Sequence, residues 1–228
     1  MDWINKLPTH RLIGEFSVWS ANLVRLADDM ARIAPHADIL HIDVADGHFA
    51  PALLFFPDLV SGIRKISKLP IHIHLMCADS VLLSQIGQFA EAGCDLISIH
   101  VENAAVAHDA FDMIEKHNIA CGMVLRVETP VETVEPFIGR LHFLTLLGTA
   151  IGVKGQGLNA EAPARLQAAK KLIADSGVKH RIVLAADGGI RDNTVPLLRQ
   201  AGAETVVLGS LAFGAPDLGQ RMAWLHAL

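Results

Sequence analysis

Residues 41–48 read His-Ile-Asp-Val-Ala-Asp-Gly-His and end a run that is otherwise apolar. Imidazoles and carboxylates gathered at the tip of such a run have two main uses, ligating a borderline divalent ion or moving a proton. On an extended strand, side chains two apart share a face, so His41 and Asp43 point the same way, as do His72 and His74. Asp187 closes another apolar run, Arg181-Ile-Val-Leu-Ala-Ala-Asp, immediately before Gly188-Gly189. His41, Asp43 and His74 come from adjacent strands, and Asp187 supplies a fourth group. Two imidazoles and two carboxylates suit zinc, manganese, iron or cobalt, and ligand type alone does not choose among these ions. A single His-x-Asp is otherwise an ordinary satisfied polar pair; what separates these four residues is that all lie at the same end of their strands. His72 shares the face of His74 one layer deeper and is expected to be a hydrogen-bonded histidine inside the fold. His48, past the strand, is expected to anchor a loop or face solvent.

The elements that must position these groups follow from the rhythm of the chain. Apolar, β-rich runs occur at RLIGEFSV, ADILHIDV, IHIHLM, DLISIHV, CGMVLRV, FLTLLGT, RIVLAAD and ETVVLGS, each followed by a stretch with helical spacing. Gly93 and Gly202 stand where a helix must be capped before the next strand begins. Eight strand–helix units in 228 residues predict one α/β domain over residues 1–228, a (β/α)8 TIM barrel with parallel strands. The rival, an open doubly wound sheet, lacks its glycine fingerprint, because GEFSVWSAN follows the first strand. In a barrel the C-terminal strand ends build the active site, and here the chemistry collects at those ends.

Composition narrows the partners. With 51% hydrophobic and 19% charged residues the chain can bury a large core. Its net charge of -5 offers no basic field for nucleic acid or an anionic membrane surface. No stretch has eighteen unbroken apolar residues, and the N-terminal segment lacks the pattern of a secretory leader. Cys77, Cys94 and Cys121 are odd in number and lack zinc-site spacing, which predicts reduced thiols and a cytoplasmic protein.

The runs FSVWSANL, HIDVADGHFAP, HLM, ISIHVE, ETP, GVKGQ, ADGGI and AGAETVVLGS, in this order from about residue 12 to about residue 215, resemble the ribulose-phosphate 3-epimerases. The resemblance implies a (β/α)8 barrel that interconverts epimeric ketose phosphates at C3 with one divalent metal, zinc before iron, manganese or cobalt. D-Ribulose 5-phosphate is the leading substrate, and a homodimer or larger assembly is implied. Position by position, His41, Asp43, His74 and Asp187 match the metal ligands, and Asp43 and Asp187 also match the acid/base pair. Inverting C3 requires proton removal beside the C2 carbonyl and proton return to the opposite face, which two carboxylates across a barrel mouth can share.

Substrate contacts are expected from Ser17, His74 and Met76. The phosphate is expected near Gly152, Val153, Lys154 and Gly155 after the sixth strand, Gly188 and Gly189 after the seventh, and Gly209 and Ser210 after the eighth. The alternatives are ordinary turn glycines, and for Ser17 a helix cap. Some positions depart from the resemblance: Ala45 and Leu147 replace methionines of the pocket cap, Arg126 replaces an asparagine, and Ala150-Ile-Gly-Val-Lys-Gly-Gln156 replaces Asn-Pro-Gly-Phe-Gly-Gly-Gln. Arg126 and Lys154 grip the phosphate or a second acidic group, or else are solvated. His100 and Glu102 are expected to orient ligands, with a separate buried polar pair as the alternative. Phe49 and Phe55 are expected in core packing, covering a ligand or joining a neighbouring subunit being the other readings. Two further functions stay open: epimerisation of another ketose phosphate such as a hexulose 6-phosphate, and phosphosugar binding without turnover. A related decarboxylase or aldolase is disfavoured, since Ala45 stands where the lysine of an Asp-x-Lys-x-x-Asp cluster would be.

Overall fold

The computed structural model describes residues 2–228. Eight strands run in parallel around a closed cylinder: β1 (Ile13–Ser17), β2 (Ile39–Asp46), β3 (Ile71–Met76), β4 (Leu96–His100), β5 (Ala120–Leu125), β6 (Phe143–Leu147), β7 (Val183–Asp187) and β8 (Thr205–Leu208). Neighbours in sequence are neighbours in the sheet, and β1 pairs with both β2 and β8, which closes the barrel. Because helices cover the outer face and other strands the inner one, the strands read as unbroken apolar runs rather than alternating ones. Along all eight, only the final Asp46 and Asp187 escape full burial, and both sit at the mouth.

Seven of the eight connections carry an α-helix, including α2 (Leu26–Ile33), α3 (Pro57–Ile66), α4 (Asp79–Ala92), α5 (Ala107–Lys116), α6 (Ala162–Asp175) and α7 (Val195–Ala201). After β8 the helical segment is split into Ser210–Phe213 and Leu218–His226. The connection after β5 departs from the expected helix: Val131–Arg140 is a 3-10 helix with Pro136 inside it. A proline there has no N–H to donate and its ring crowds the carbonyl four residues back, so an α-helical turn cannot pass through it. Gly93 and Gly202 end α4 and α7 in the left-handed region, at φ 93° and 114°.

The barrel is filled in layers. At the N-terminal end, α1 (Asp2–Lys6) brings Ile4 against Ile13, Ile39, Leu96, Phe143 and Val183 as an apolar plug. The next layer is polar: Glu15, His41, His72, Ser98, Thr145 and Thr205 are each 0% exposed. Burying such groups costs several kcal/mol each unless they find partners, on the order of 2–7 kcal/mol for neutral ones. Gly122 makes room for one such partner, since a Cβ at that position would overlap the Ser98 hydroxyl. The uppermost layer is the mouth.

Candidate active site

Sheet register assembles the mouth. Asp43 lies beside His74 and His41 beside His72 across the β2–β3 pair, while Ser17 on β1 lies beside His41. Leu147 on β6 lies beside Asp187 on β7. The barrel curvature then carries Asp187 toward the β2 and β3 side chains. His41 Nε2 is 3.3 Å from Asp43 Oδ1 and 3.9 Å from Asp187 Oδ2. His74 Nδ1 is 3.2 Å and 3.7 Å from the same two oxygens. One ligand atom from each of the four residues lies within 4.8 Å of every other.

These separations fit a divalent cation. Ligand atoms about 2.1 Å from a tetrahedral ion sit about 3.4 Å from one another, and the four distances fall on either side of that value. His41 Nε2 is also buried without a hydrogen-bond partner among the described residues. A lone imidazole nitrogen with that burial, facing two carboxylates, has the chemistry of a ligand.

The electrostatics of the cluster divide the two carboxylates. Burial pushes Asp43 up, but the adjoining His41 and His74 outweigh it and hold the group well below the usual carboxylate range. Asp187 is pushed up to about 6, by burial first and by the charge of Asp43, against the pull of His41. His41 is raised well above its ordinary value, since Asp43, Glu15 and Asp187 overcome the opposing effect of burial.

A further shell fixes these groups. Ser17 Oγ donates to Asp43 Oδ2 at 2.9 Å, so its side chain serves the carboxylate and makes no cap on the short 3-10 helix Val18–Ser20. His74 Nε2 is 2.8 Å from His100 Nε2, and His100 Nδ1 is 3.1 Å from Glu102 Oε2. Burial lowers His100 to about 4, which leaves a neutral ring able to accept from His74 and donate to Glu102. His72 is turned away from the cluster, with Nδ1 2.7 Å from Glu15 Oε2 and Nε2 2.7 Å from Ser98 Oγ. His48 is exposed.

Above the cluster opens a cavity of about 350 Å³. Ser17, Asp43, His74, Met76 and Asp187 form its floor, with His41 just beneath. Gly152, Val153, Lys154 and Gly155 line one side; Gly188, Gly189, Gly209 and Ser210 complete the rim. Lys154 Nζ donates to the Trp19 carbonyl at 2.6 Å and lies 4.4 Å from the centre of the Trp19 ring, tying two loops together across the opening. Arg126 lies outside this lining, 4.2 Å over the Phe49 ring and donating to the Phe49 carbonyl at 3.1 Å. Phe49 is half-buried and packs on the His100 ring at 4.9 Å. Leu147 reaches the cavity, whereas Ala45 packs with Ala50 and Met76 beside it.

Sequence reasoning missed several groups. Trp19, Thr149 and Arg191 also line the cavity, and no spacing rule marks loop residues of this kind. Glu15, beneath the cluster, was legible in principle as an inward-facing acid on an apolar strand, two residues before Ser17.

The sequence model of the ribulose-phosphate 3 epimerase family matches residues 14–213. A ribulose-phosphate 3-epimerase of Bacillus subtilis (strain 168) is 31% identical over 202 residues, covering 88% of this chain and 92% of the relative. One from Aquifex aeolicus (strain VF5) is 33% identical over 198 residues, covering 87% of each. Among solved structures, a 3-hexulose-6-phosphate synthase superposes with a TM-score of 0.65 at 18% identity, covering 95% of this chain and 96% of that one, a likeness of fold alone. No helix among the described residues is long and apolar enough to cross a membrane.

Proposed function

The chain belongs to the ribulose-phosphate 3 epimerase family and is a sugar-phosphate epimerase; from that premise we propose that it interconverts D-ribulose 5-phosphate and D-xylulose 5-phosphate. In this reading His41, Asp43, His74 and Asp187 hold one divalent cation, zinc ahead of iron, manganese and cobalt, and Asp43 and Asp187 are the proton-transfer pair. The observation that carries it is the meeting of two imidazole nitrogens and two carboxylate oxygens within 4.8 Å at the floor of the cavity.

The C3 hydrogen of the substrate lies beside the C2 carbonyl, and inversion needs a base on one face and an acid on the other. Asp43 is held well below the usual carboxylate range and Asp187 is pushed up to about 6, so their environments make the two carboxylates unequal and Asp187 the one that takes up a proton more readily. The reverse reaction exchanges the roles. Ser17, bonded to Asp43 Oδ2, leaves Oδ1 turned toward the two histidines. Met76 and Leu147 give the floor an apolar border that keeps water from the reacting carbons. His41, Asp43, His74 and Asp187 would hold a divalent cation, which would supply positive charge against that of the developing enediolate. We assign the phosphate to the rim formed by residues 152–155, 188–189 and 209–210, with Lys154 as its one nearby ammonium. We place the enzyme in the cytoplasm as a homodimer or larger assembly, in keeping with three free, buried cysteines and the exposed Leu53 and Phe56 after β2.

The altered pocket border favours a second reading, epimerisation of a hexulose 6-phosphate, since Leu147 lines the cavity. One experiment separates the readings: incubation in D2O with ribulose 5-phosphate and hexulose 6-phosphates, using metal-loaded and chelated protein. Deuterium at C3 of ribulose 5-phosphate, lost on chelation, is the expected result. Label only in a hexulose 6-phosphate moves the substrate; label in none of them leaves a binding protein.

A further inference from the structure

We propose that Glu15 is the positioning residue of the cation site, acting from below the mouth through His41. The carboxylate is 0% exposed on β1 and is ringed by donors. Its Oε2 lies 3.0 Å from His41 Nδ1 and 2.7 Å from His72 Nδ1. Its Oε1 lies 3.2 Å from Thr205 Oγ1, a hydroxyl that also points to the Ile13 carbonyl. A carboxylate so placed accepts, which assigns the Nδ1 hydrogen on both rings. The fates of the two rings then diverge. On His72 the remaining nitrogen, Nε2, accepts from Ser98 Oγ at 2.7 Å, and the ring is spent on structure. On His41 the remaining nitrogen has no partner among the described residues and faces Asp43 and Asp187. One glutamate thus makes a structural histidine of one neighbour and a ligand of the other.

The second ligand histidine has the same backing at one remove, because His74 reaches Glu102 through the His100 ring. The two arms differ in directness. Glu15 touches its histidine and lies under 0% exposed atoms, whereas Glu102 is 22% exposed at the side chain and acts through an intervening imidazole. A carboxylate on the far nitrogen of a ligand imidazole fixes the ring tautomer and strengthens the near nitrogen as a donor, and losing it weakens metal binding by about 10–100-fold.

This inference rests on the cation site proposed above. In wild-type protein labelled with 15N-histidine and loaded with zinc, two-dimensional NMR should show His41 protonated at Nδ1 and metal-shifted at Nε2. Glu15→Gln should bind zinc about 10–100-fold more weakly in chelator competition. With cobalt in place of zinc its visible absorption spectrum should change, while the KM for the sugar phosphate stays within about twofold. A merely structural Glu15 would lower the melting temperature and leave the metal affinity and cobalt spectrum unaltered, which overturns the proposal. Should Glu15→Gln fail to fold, the wild-type spectrum decides: zinc on His41 Nδ1 refutes the role of Glu15 and leaves the cation site standing. Wild-type protein that binds no zinc removes both.

Discussion

The two sides of the barrel mouth are built differently. On the β1–β4 side a continuous chain of contacts runs from Glu15 through His41, Asp43, His74 and His100 to Glu102, every member but the last buried and strand-borne. On the β6–β8 side the rim is loop, with Val153, Lys154 and Gly155 exposed and one lysine hydrogen bond spanning the opening to Trp19. Strand register places a side chain to within tenths of an ångström, which proton transfer and ion binding demand; a loop offers looser placement that suffices for gripping a remote phosphate. The departures from family pattern spare the four cluster residues: Val153, Lys154 and Leu147 line the rim side of the cavity, and Ala45 on β2 packs with Ala50 and Met76 beside it.

The strongest attempt to break this contrast is Asp43→Asn or Asp187→Asn. Either amide can neither accept nor return the C3 proton, so kcat should fall by about 10³-fold or more with the barrel intact. Deuterium wash-in at C3 and circular dichroism measure the two halves of that statement. A variant within tenfold of wild type would mean that the rim, not the floor, holds the chemistry.

The next effect concerns the outer end of the chain of contacts. Glu102 accepts from His100 Nδ1 and from the Thr129 hydroxyl, and these partners, against the opposing effect of burial, hold its carboxyl down at about 2. A folded-state value below the unfolded one stabilises the protein fully above pH about 4.5 and loses that contribution as the pH falls toward 2. Allowing for its partial exposure, this amounts to about 2 kcal/mol. Glu102→Gln should therefore be less stable than wild type at pH 7 in urea titrations, and the gap should narrow steadily between pH 4.5 and 3. A gap that persists unchanged at pH 3 would detach Glu102 from the ordered floor.

Gly122→Ala tests the polar layer beneath that floor. The added methyl overlaps Ser98 Oγ, which must abandon His72 or force β4 and β5 apart. A loss of about 1–3 kcal/mol is expected, read as a lower urea midpoint at unchanged slope. Unchanged stability would show that the layer has slack, and with it the precision claimed for the floor would fail.

How much of this was legible follows from where partners lie along the chain. Period-two spacing on apolar runs placed His41, Asp43, His74 and Asp187 on one inner face at one end, because a parallel barrel repeats that geometry at every strand. Glu15 has the same parity, but its partners lie 26, 57 and 190 residues away, and a lone acid on a strand says nothing of them. Gly188 and Gly189 read as an anion cradle. In the fold both have positive φ, and a Cβ on either would overlap Thr149 or Leu158, so packing between two loops accounts for the glycines without any ligand. Arg126 read as a mouth cation because it ends a strand; in the fold its guanidinium lies over the Phe49 ring and donates to the Phe49 carbonyl. Pro136 was visible, yet a strong apolar period around it masked the 3-10 helix that it imposes.

The smallest expected effect belongs to the rim. Lys154 is exposed, and partial burial at the cavity edge lowers its ammonium while Asp43 pulls the other way. A solvated ammonium facing a phosphate contributes about 1 kcal/mol, screened by salt over roughly 8–10 Å. Lys154→Met should accordingly raise KM about fivefold with kcat unchanged, the signature of an interaction equal in ground and transition states. The part of the difference that comes from charge should shrink in about 0.5 M salt, whereas the part that comes from the lost Trp19 hydrogen bond should persist. A fall in kcat at constant KM would carry the lysine to the reacting carbons and erase the distinction between the two sides. Unchanged kinetics would sharpen it further, leaving the rim to hold phosphate through backbone N–H groups, with Lys154 as a strap on Trp19.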